Sequence, residues 1–342
     1  MQECPLPISP DETIQLAHGG GGSLTRALVT DLFQKAFDNP LLRRNHDGAV
    51  LEFGDTKLAF TTDSYVVHPL FFPGGDIGKL AVCGTVNDLA MCGSTPRYLS
   101  VGMIIEEGFP QANLKQVVDS MQATAEAAGV QLVTGDTKVV DRGKGDGLFL
   151  NTAGIGEVRA AISPTQIEPG DAVLLSGDLG RHGIAILAER EGLQFETTIE
   201  SDCGLLNGAV ERLLDSGITM HCLRDLTRGG LATALKEIAT DSGFEIRIRE
   251  SDIPVNESVR GAAELLGLDP LYVANEGRMI VILPREHMDA AKSLLLEEDI
   301  TANAVEIGSV SEKQSGRLIM ETAIGANRVL DLLSGEQLPR IC

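Results

Sequence analysis

The sequence predicts an α/β protein of two domains, and three observations predict it. The chain has 342 residues, which at ~150 residues per domain gives about two domains and length enough to bury more than one core. Apolar runs of strand length alternate with stretches of helical periodicity over most of its length. Turn signals gather near the middle, at Ser163-Pro164 and Glu168-Pro169-Gly170-Asp171, and place a boundary near 160–168. The expected units are an N-terminal domain at 1–163, a C-terminal domain at 164–334, and a flexible tail at 335–342 that shows no periodicity and contains a proline.

The elements follow in order. Val50 to Phe53, Gly54-Asp55 and Thr56 to Phe60 read as a β-hairpin on a two-residue turn, with the second strand running to about Thr62. Asp76 to Gly93 suits a helix, with apolar positions at Ile77, Leu80, Ala81, Leu89 and Ala90. Tyr98 to Ile105 reads as a buried strand. Gln111 to Ala128 is a helix with Leu114, Val117, Val118, Met121, Ala125 and Ala128 at helical spacing. Val130 to Thr134 and Leu148 to Ile155 read as strands. In the second half a strand at Ala172 to Ser176 opens a new unit. Helices are expected near 182–191, 203–216, 229–242, 256–266 and 286–297, and strands near 219–223, 244–249, 279–283, 304–309 and 317–321.

The net charge is −21. A chain this acidic is a poor partner for nucleic acid or an anionic membrane, both polyanions, so neither is expected. No apolar run reaches 18 residues, and the N-terminus has no basic segment followed by an apolar one; a cytoplasmic protein without a membrane span or signal peptide is expected. Of the six cysteines, Cys4, Cys83, Cys92, Cys203, Cys222 and Cys342, no pair is spaced as CxxC, so zinc and redox motifs are weak readings.

Four features carry candidate chemistry. His18-Gly19-Gly20-Gly21-Gly22, before an expected helix, lets backbone N–H groups approach an anion; a flexible loop is the alternative. Asp63, Asp88, Asp136 and Asp225 each abut an apolar segment, where hard carboxylates can meet on one cleft and hold Mg²⁺ against phosphates; each alone is also an ordinary cap or turn residue. Lys138 can hold a phosphate as a point charge and Glu276, in Asn275-Glu276-Gly277, can act as a base; each alone is also an ordinary surface charge. Cys342 is the last residue of the sequence, on a segment that spans at most ~26–29 Å when extended.

Together these motifs resemble the PurM-like ATP-binding superfamily, which includes aminoimidazole ribonucleotide synthetase, selenophosphate synthetase and thiamine-monophosphate kinase. Within it, the His18 glycine run, Phe71-Phe-Pro-Gly-Gly, Thr134-Gly-Asp-Thr-Lys-Val-Val, Arg224-Asp-Leu-Thr-Arg-Gly-Gly, Ala274-Asn-Glu-Gly and Pro339-Arg-Ile-Cys342 resemble the HypE family of hydrogenase maturation proteins, over about residues 14–342. One departure lies in the glycine run, which has four glycines where the family often has HGSGG.

The resemblance implies an N-terminal domain with a mainly antiparallel sheet, forming a β-barrel across a homodimer, and a C-terminal α/β domain with an antiparallel sheet covered by helices. It implies ATP and Mg²⁺, with His18, Gly19, Gly20, Gly21, Gly22, Asp63, Asn87, Asp88, Asp136 and Thr137 at the nucleotide and Asp63, Asp88, Asp136 and Asp225 as metal ligands. It implies a carbamoyltransferase, HypF, loading a carbamoyl group on Cys342, and dehydration of that thiocarboxamide to a thiocyanate with Glu276 as base and Lys138 at the transferring phosphoryl group. The cyanide would pass to iron on a HypC–HypD complex. Two rivals stand beside this: another ATP-dependent enzyme of the superfamily acting on a small molecule, and a non-catalytic carrier whose terminal cysteine only ferries a group.

Overall fold

A computed structural model describes residues 13–193, 198–333 and 341–342. Most of the expected tail, including Pro339 and Arg340, lies outside the described residues, as do residues 1–12. In chain order the strands are β1 (Ala49–Phe53), β2 (Thr56–Tyr65), β3 (Phe71–Phe72), β4 (Gly75–Asp76), β5 (Ser94–Glu106), β6 (Gln131–Val140), β7 (Leu148–Val158), β8 (Ala172–Leu175), β9 (Cys222–Asp225), β10 (Glu245–Arg249), β11 (Met279–Leu283), β12 (Val305–Ser311), β13 (Leu318–Glu321) and β14 (Asn327–Leu330). The helices are α1 (Ser23–Leu28), α2 (Ile77–Met91), α3 (Gln111–Ala128), α4 (Arg181–Glu191), α5 (Asn207–Asp215), α6 (Gly230–Ser242), α7 (Glu257–Leu266) and α8 (Met288–Leu295).

The first sheet has the order β1-β2-β7-β5-β6, antiparallel except for β5 and β6. The hairpin closes at Phe53 opposite Thr56, as the Gly54-Asp55 turn predicts, but β2 runs on to Tyr65. The second sheet has the order β14-β13-β10-β12-β8-β11-β9, antiparallel except for β10 and β13. Its central strands β8 and β11 are buried along their whole length. That is why Ala-Val-Leu-Leu and Met-Ile-Val-Ile-Leu read as continuous apolar runs and not as alternating ones.

Helix α3 obeys its periodicity: Val117, Met121, Ala125 and Ala128 are its buried positions, four or three apart. Helix α2 does not show one apolar stripe, because it is buried on nearly every side. It packs on β2 and β7, on α3, and on α5 and β9 of the second half. Its start is fixed by Asp76, whose Oδ1 accepts from Gly78 N (2.7 Å) and Lys79 N (3.2 Å). The main apolar cluster therefore spans both halves, joining Leu80, Val86 and Leu99 to Ile184, Val259 and, near the chain end, Ile341. No helix among the described residues is long and apolar enough to cross a membrane.

Asn87 ties the two halves together. Its Nδ2 donates to the part-buried Gly204 O (3.0 Å) and its Oδ1 accepts from the buried Leu206 N (2.8 Å). Removing the amide strands a part-buried carbonyl and a buried N–H. Asn87→Ala is expected to lose about 2–4 kcal/mol of folding stability, measured as a lower denaturant midpoint; an unchanged midpoint would show the strut to be dispensable.

Candidate active site

The acidic residues that precede or end the core elements meet in one cleft. Asp88 comes from the last turn of α2, Asp225 from the end of β9, and Asp47 from the residues just before β1. Carboxylate oxygens of these three lie within 4.8 Å of one another. They line a cavity of about 280 Å³ together with Asp63 from β2, Gly21, Arg224 and Arg228. Thr61 Oγ1 lies 2.8 Å from the Asp47 carbonyl and 2.9 Å from Asp88 Oδ2, linking the two.

Burial and mutual repulsion dominate the electrostatics. Desolvation, with Asp225, Asp47 and Asp63 nearby, pushes the Asp88 carboxyl well up. Desolvation and Asp47 push Asp225 up to about 7, against the pull of Arg224. Arg224 is the cross-domain counter-charge: its Nε is 2.8 Å from Asp47 Oδ1 and its Nη2 is 2.8 Å from Glu237 Oε2. Asp47 Oδ2 remains buried without a hydrogen-bond partner. Closely placed hard oxygens with such an orphaned atom fit a divalent cation such as Mg²⁺.

Glu276 and Cys342 lie close enough to this cavity to feel its charges, though neither lines it. Glu276 follows the buried Asn275, whose Oδ1 accepts from Gly180 N and whose Nδ2 donates to Leu226 O and Val273 O. The Glu276 side chain is buried, and its Oε1 has no hydrogen-bond partner. Burial first, then Asp225 and Asp63, push its carboxyl well up. Cys342 is only partly exposed; burial raises its thiol to about 12, with Arg228 pulling the other way and Glu276, Asp63 and Asp225 adding to the rise. Arg228 faces Cys342, Asp63, Asp88 and Glu276, and is held more firmly charged, with Cys342 the largest influence. The other described cysteines, Cys83, Cys92, Cys203 and Cys222, are buried.

Of the glycine run, Gly21 reaches the cleft. It sits at φ +80°, against Arg228, and a Cβ there would meet Arg228 Cβ at 2.9 Å. Gly22 lets the chain touch Leu333, whose carbonyl accepts from Ser23 N (2.8 Å) and would lie 2.5 Å from an added Cβ. Gly19 and Gly20 meet little, and His18 turns back to Gln15, with Nδ1 3.1 Å from Gln15 N.

Besides His18, Gly19 and Gly20, four further residues expected at the site stand elsewhere within this chain. Asn87 points to the Gly204–Leu206 backbone, about one helical step round α2 from Asp88. Asp136, Thr137 and Lys138 are exposed on the edge strand β6. β7 and β5 separate β6 from β2, which at ~4.8 Å per strand is about 14 Å. Asp136 and Lys138 pair with Gly102 and Ile104, in register positions that share the face of Tyr98 and Phe60, opposite that of Asp63. Lys138 Nζ is 2.9 Å from Asp136 Oδ2, and this pairing holds the exposed Asp136 carboxyl below its ordinary value.

Sequence reasoning missed Asp47, Arg224 and Arg228. Asp47 carries the signal that marked the other aspartates, an acidic residue at the end of an apolar segment; the two arginines lie within the quoted Arg224-Asp-Leu-Thr-Arg-Gly-Gly.

Residues 45–158 match the AIR synthase related protein N-terminal domain and residues 168–321 the AIR synthase related protein C-terminal domain. A carbamoyl dehydratase HypE of Azotobacter vinelandii is 48% identical over 332 residues, covering 96% of this chain and 97% of that protein. A crystal structure of a HypE–HypF complex aligns with TM-score 0.86 and 46% identity, over 90% of this chain and 100% of that one. A crystal structure of HypE in complex with ATP aligns with TM-score 0.82 and 50% identity, over 96% and 100% of the two chains.

The raised Asp225 value sets a pH dependence. Its folded pKa of about 7 lies above the ordinary 3.8, so its contribution to stability is complete below about pH 4 and is lost as the pH rises through 7. In protein freed of divalent cations, Asp225→Asn is expected to raise the melting temperature at pH 8 more than at pH 5. Equal gains at both pH values, read by differential scanning fluorimetry, would contradict the buried repulsion.

Proposed function

The chain belongs to the HypE family of carbamoyl dehydratases, and from that premise we propose that it dehydrates a thiocarboxamide carried on Cys342 to a thiocyanate, at the expense of ATP, to supply the cyanide ligand in NiFe-hydrogenase maturation. The observation that carries this is that the Asp47–Asp88–Asp225 cluster lines one cavity while Cys342 lies within the field of Arg228, Glu276, Asp63 and Asp225 beside it. A carrier that only ferries a group has no use for such a cluster, and an enzyme for a small molecule has no use for its own terminal thiol in the site.

The chemistry follows from the groups. An amide oxygen leaves poorly; taking the γ-phosphoryl group makes it leave as phosphate, while the nitrogen gives up its protons and a C≡N bond remains. Asp47, Asp88 and Asp225, with Asp63 beside them, would hold Mg²⁺, which would supply charge neutralisation for the triphosphate and for the carboxylates around Glu276. Gly21 and Arg228 line the wall against which the phosphates would lie. Glu276, buried and with a free oxygen, is placed to take a proton from the nitrogen. Cys342 delivers its own substrate, replacing a binding step by an intramolecular one. We assign the loading of Cys342 to a carbamoyltransferase of the HypF type, the receipt of cyanide to a HypC–HypD iron complex, and the whole to the cytoplasm.

Cys342→Ala is expected to abolish carbamoylation and leave ATP binding intact. Glu276→Gln is expected to bind ATP as the parent does and to accept the carbamoyl group, yet to accumulate thiocarboxamide, with dehydration ~10²–10⁴-fold slower. Calorimetry and intact-mass spectrometry check both; thiocyanate at the parent rate from Glu276→Gln removes its role as base.

Asp136 and Lys138 fit this function in a homodimer. The open face of the first sheet carries Phe60, Ile155 and Tyr98 in one row across β2, β7 and β5, with Ile104 beyond, all exposed. An isologous partner would cover this row. We propose that Lys138 and Asp136 then serve the cleft of the other copy. Light scattering is expected to give twice the 36.3 kDa of one chain. Mixing Lys138→Ala with Cys342→Ala chains is expected to restore dehydration that neither shows alone; a silent mixture of verified mixed dimers would overturn the shared site.

A further inference from the structure

The carbonyl next to Cys342 is held by a side chain to which the mechanism above gives no part. His182, on the first turn of α4, is fully buried, and its Nε2 lies 2.6 Å from Ile341 O. We propose that His182 is a positioning residue: its hydrogen bond to Ile341 sets how much of the time Cys342 occupies the cleft.

The tautomer follows from the partners. A carbonyl can only accept, so Nε2 carries the proton and donates. Burial lowers the imidazole's basicity, which leaves the ring neutral and Nδ1 an acceptor. Its partner is the Ser201 hydroxyl at 2.8 Å, whose oxygen also accepts from Cys203 N at 3.0 Å. Each ring nitrogen is thereby used in one sense only, Nε2 donating and Nδ1 accepting, while Ser201 Oγ donates to the ring and accepts from Cys203 N. Phe72 closes the remaining side, edge-on to the ring at 5.6 Å and 84°.

The same frame carries Glu276. Asp202 Oδ1 accepts from His182 N (3.1 Å), and its Oδ2 accepts from Gly277 N (3.1 Å), the residue after Glu276. One buried carboxylate thus fixes both the grip on the tail and the backbone of the base. At the other side Val66 N, just beyond β2, donates to Cys342 O at 3.0 Å, and Ile341 sits 6% exposed in the apolar cluster. When the tail leaves, the Nε2 proton faces a buried seat without its acceptor, a cost that favours the docked state. Docked, Cys342 is only partly exposed and the carbonyls of both Ile341 and Cys342 are held, which restricts the thiol's reach to an outside donor. Loading of Cys342 therefore needs the undocked tail and dehydration needs the docked one, and His182 weights the two.

This inference rests on Cys342 being the carrier, so the test has one arm that does not. The full-length protein is compared with His182→Leu, which keeps bulk and loses the donor, and His182→Gln, which keeps a donor. In the first arm, without ATP, iodoacetamide labels the unmodified protein and peptide mapping reads the rate at Cys342. His182→Leu is expected to label ~10-fold faster, about the factor one buried hydrogen bond is worth, and His182→Gln to return toward the parent rate. In the second arm, chemically carbamoylated tails are given ATP: His182→Leu is expected to form thiocyanate ~10-fold more slowly at saturating ATP with an unchanged Kd for ATP, again rescued by Gln. Parent labelling rates in His182→Leu overturn the proposal outright. Faster labelling without slower dehydration overturns only its link to the reaction. Should His182→Leu not fold, Ser201→Ala, which removes the partner that orients the ring, is expected to shift both rates in the same direction, and parent rates there count equally against the proposal.

Discussion

Like charges confined to one cleft are the constraint on which the rest of this structure turns. Asp47, Asp88 and Asp225 approach one another closely in a largely buried space, with Asp63 and Glu276 close enough to raise their neighbours' pKa values. Such a set is unfavourable alone, because each carboxylate loses water and gains repulsion. Two features relieve it. Arg224 bridges Asp47 and Glu237, and Arg228 adds a positive charge near Cys342, Asp63, Asp88 and Glu276. The remaining excess of negative charge is what a divalent cation would answer.

The architecture exists to hold that cluster. No single element supplies more than one of the carboxylates, so their separation depends on how the two sheets sit on α2. That helix is buried on nearly all sides, and Asn87 bolts it to the 204–206 backbone one residue before Asp88 faces the cleft. Its packing therefore sets the metal-ligand geometry as directly as the ligands themselves do.

Much of the fold was legible because its periodicities are clean. Helix α3 begins and ends at Gln111 and Ala128 as its apolar spacing predicts, and β11 spans 279–283 as expected. The short β14 escaped notice: Asn327–Leu330 has three exposed residues of four, and it is an edge strand defined by pairing with β13. The apolar run predicts an end to β6 at Thr134, yet the strand pairs with β5 as far as Val140, because the exposed Asp136-Thr-Lys stretch shows no burial pattern to signal a strand.

At the site, the sequence by itself determined which residue types were available: carboxylates at the ends of apolar segments, Glu276 after Asn275, a thiol at Cys342 and a glycine able to take φ +80° at position 21. Tertiary structure alone decided which of them meet. A helix turns side chains by about 100° per residue, so Asp88 enters the cleft while Asn87 becomes a strut. A strand alternates faces and the strand order adds distance, so Asp63 joins the cluster while Asp136 and Lys138 stand on the far face of the same sheet. Asp47 and His182 owe their roles to partners 177 and 159 residues away in sequence, Arg224 and Ile341, and a contact over such a separation leaves no local pattern to read.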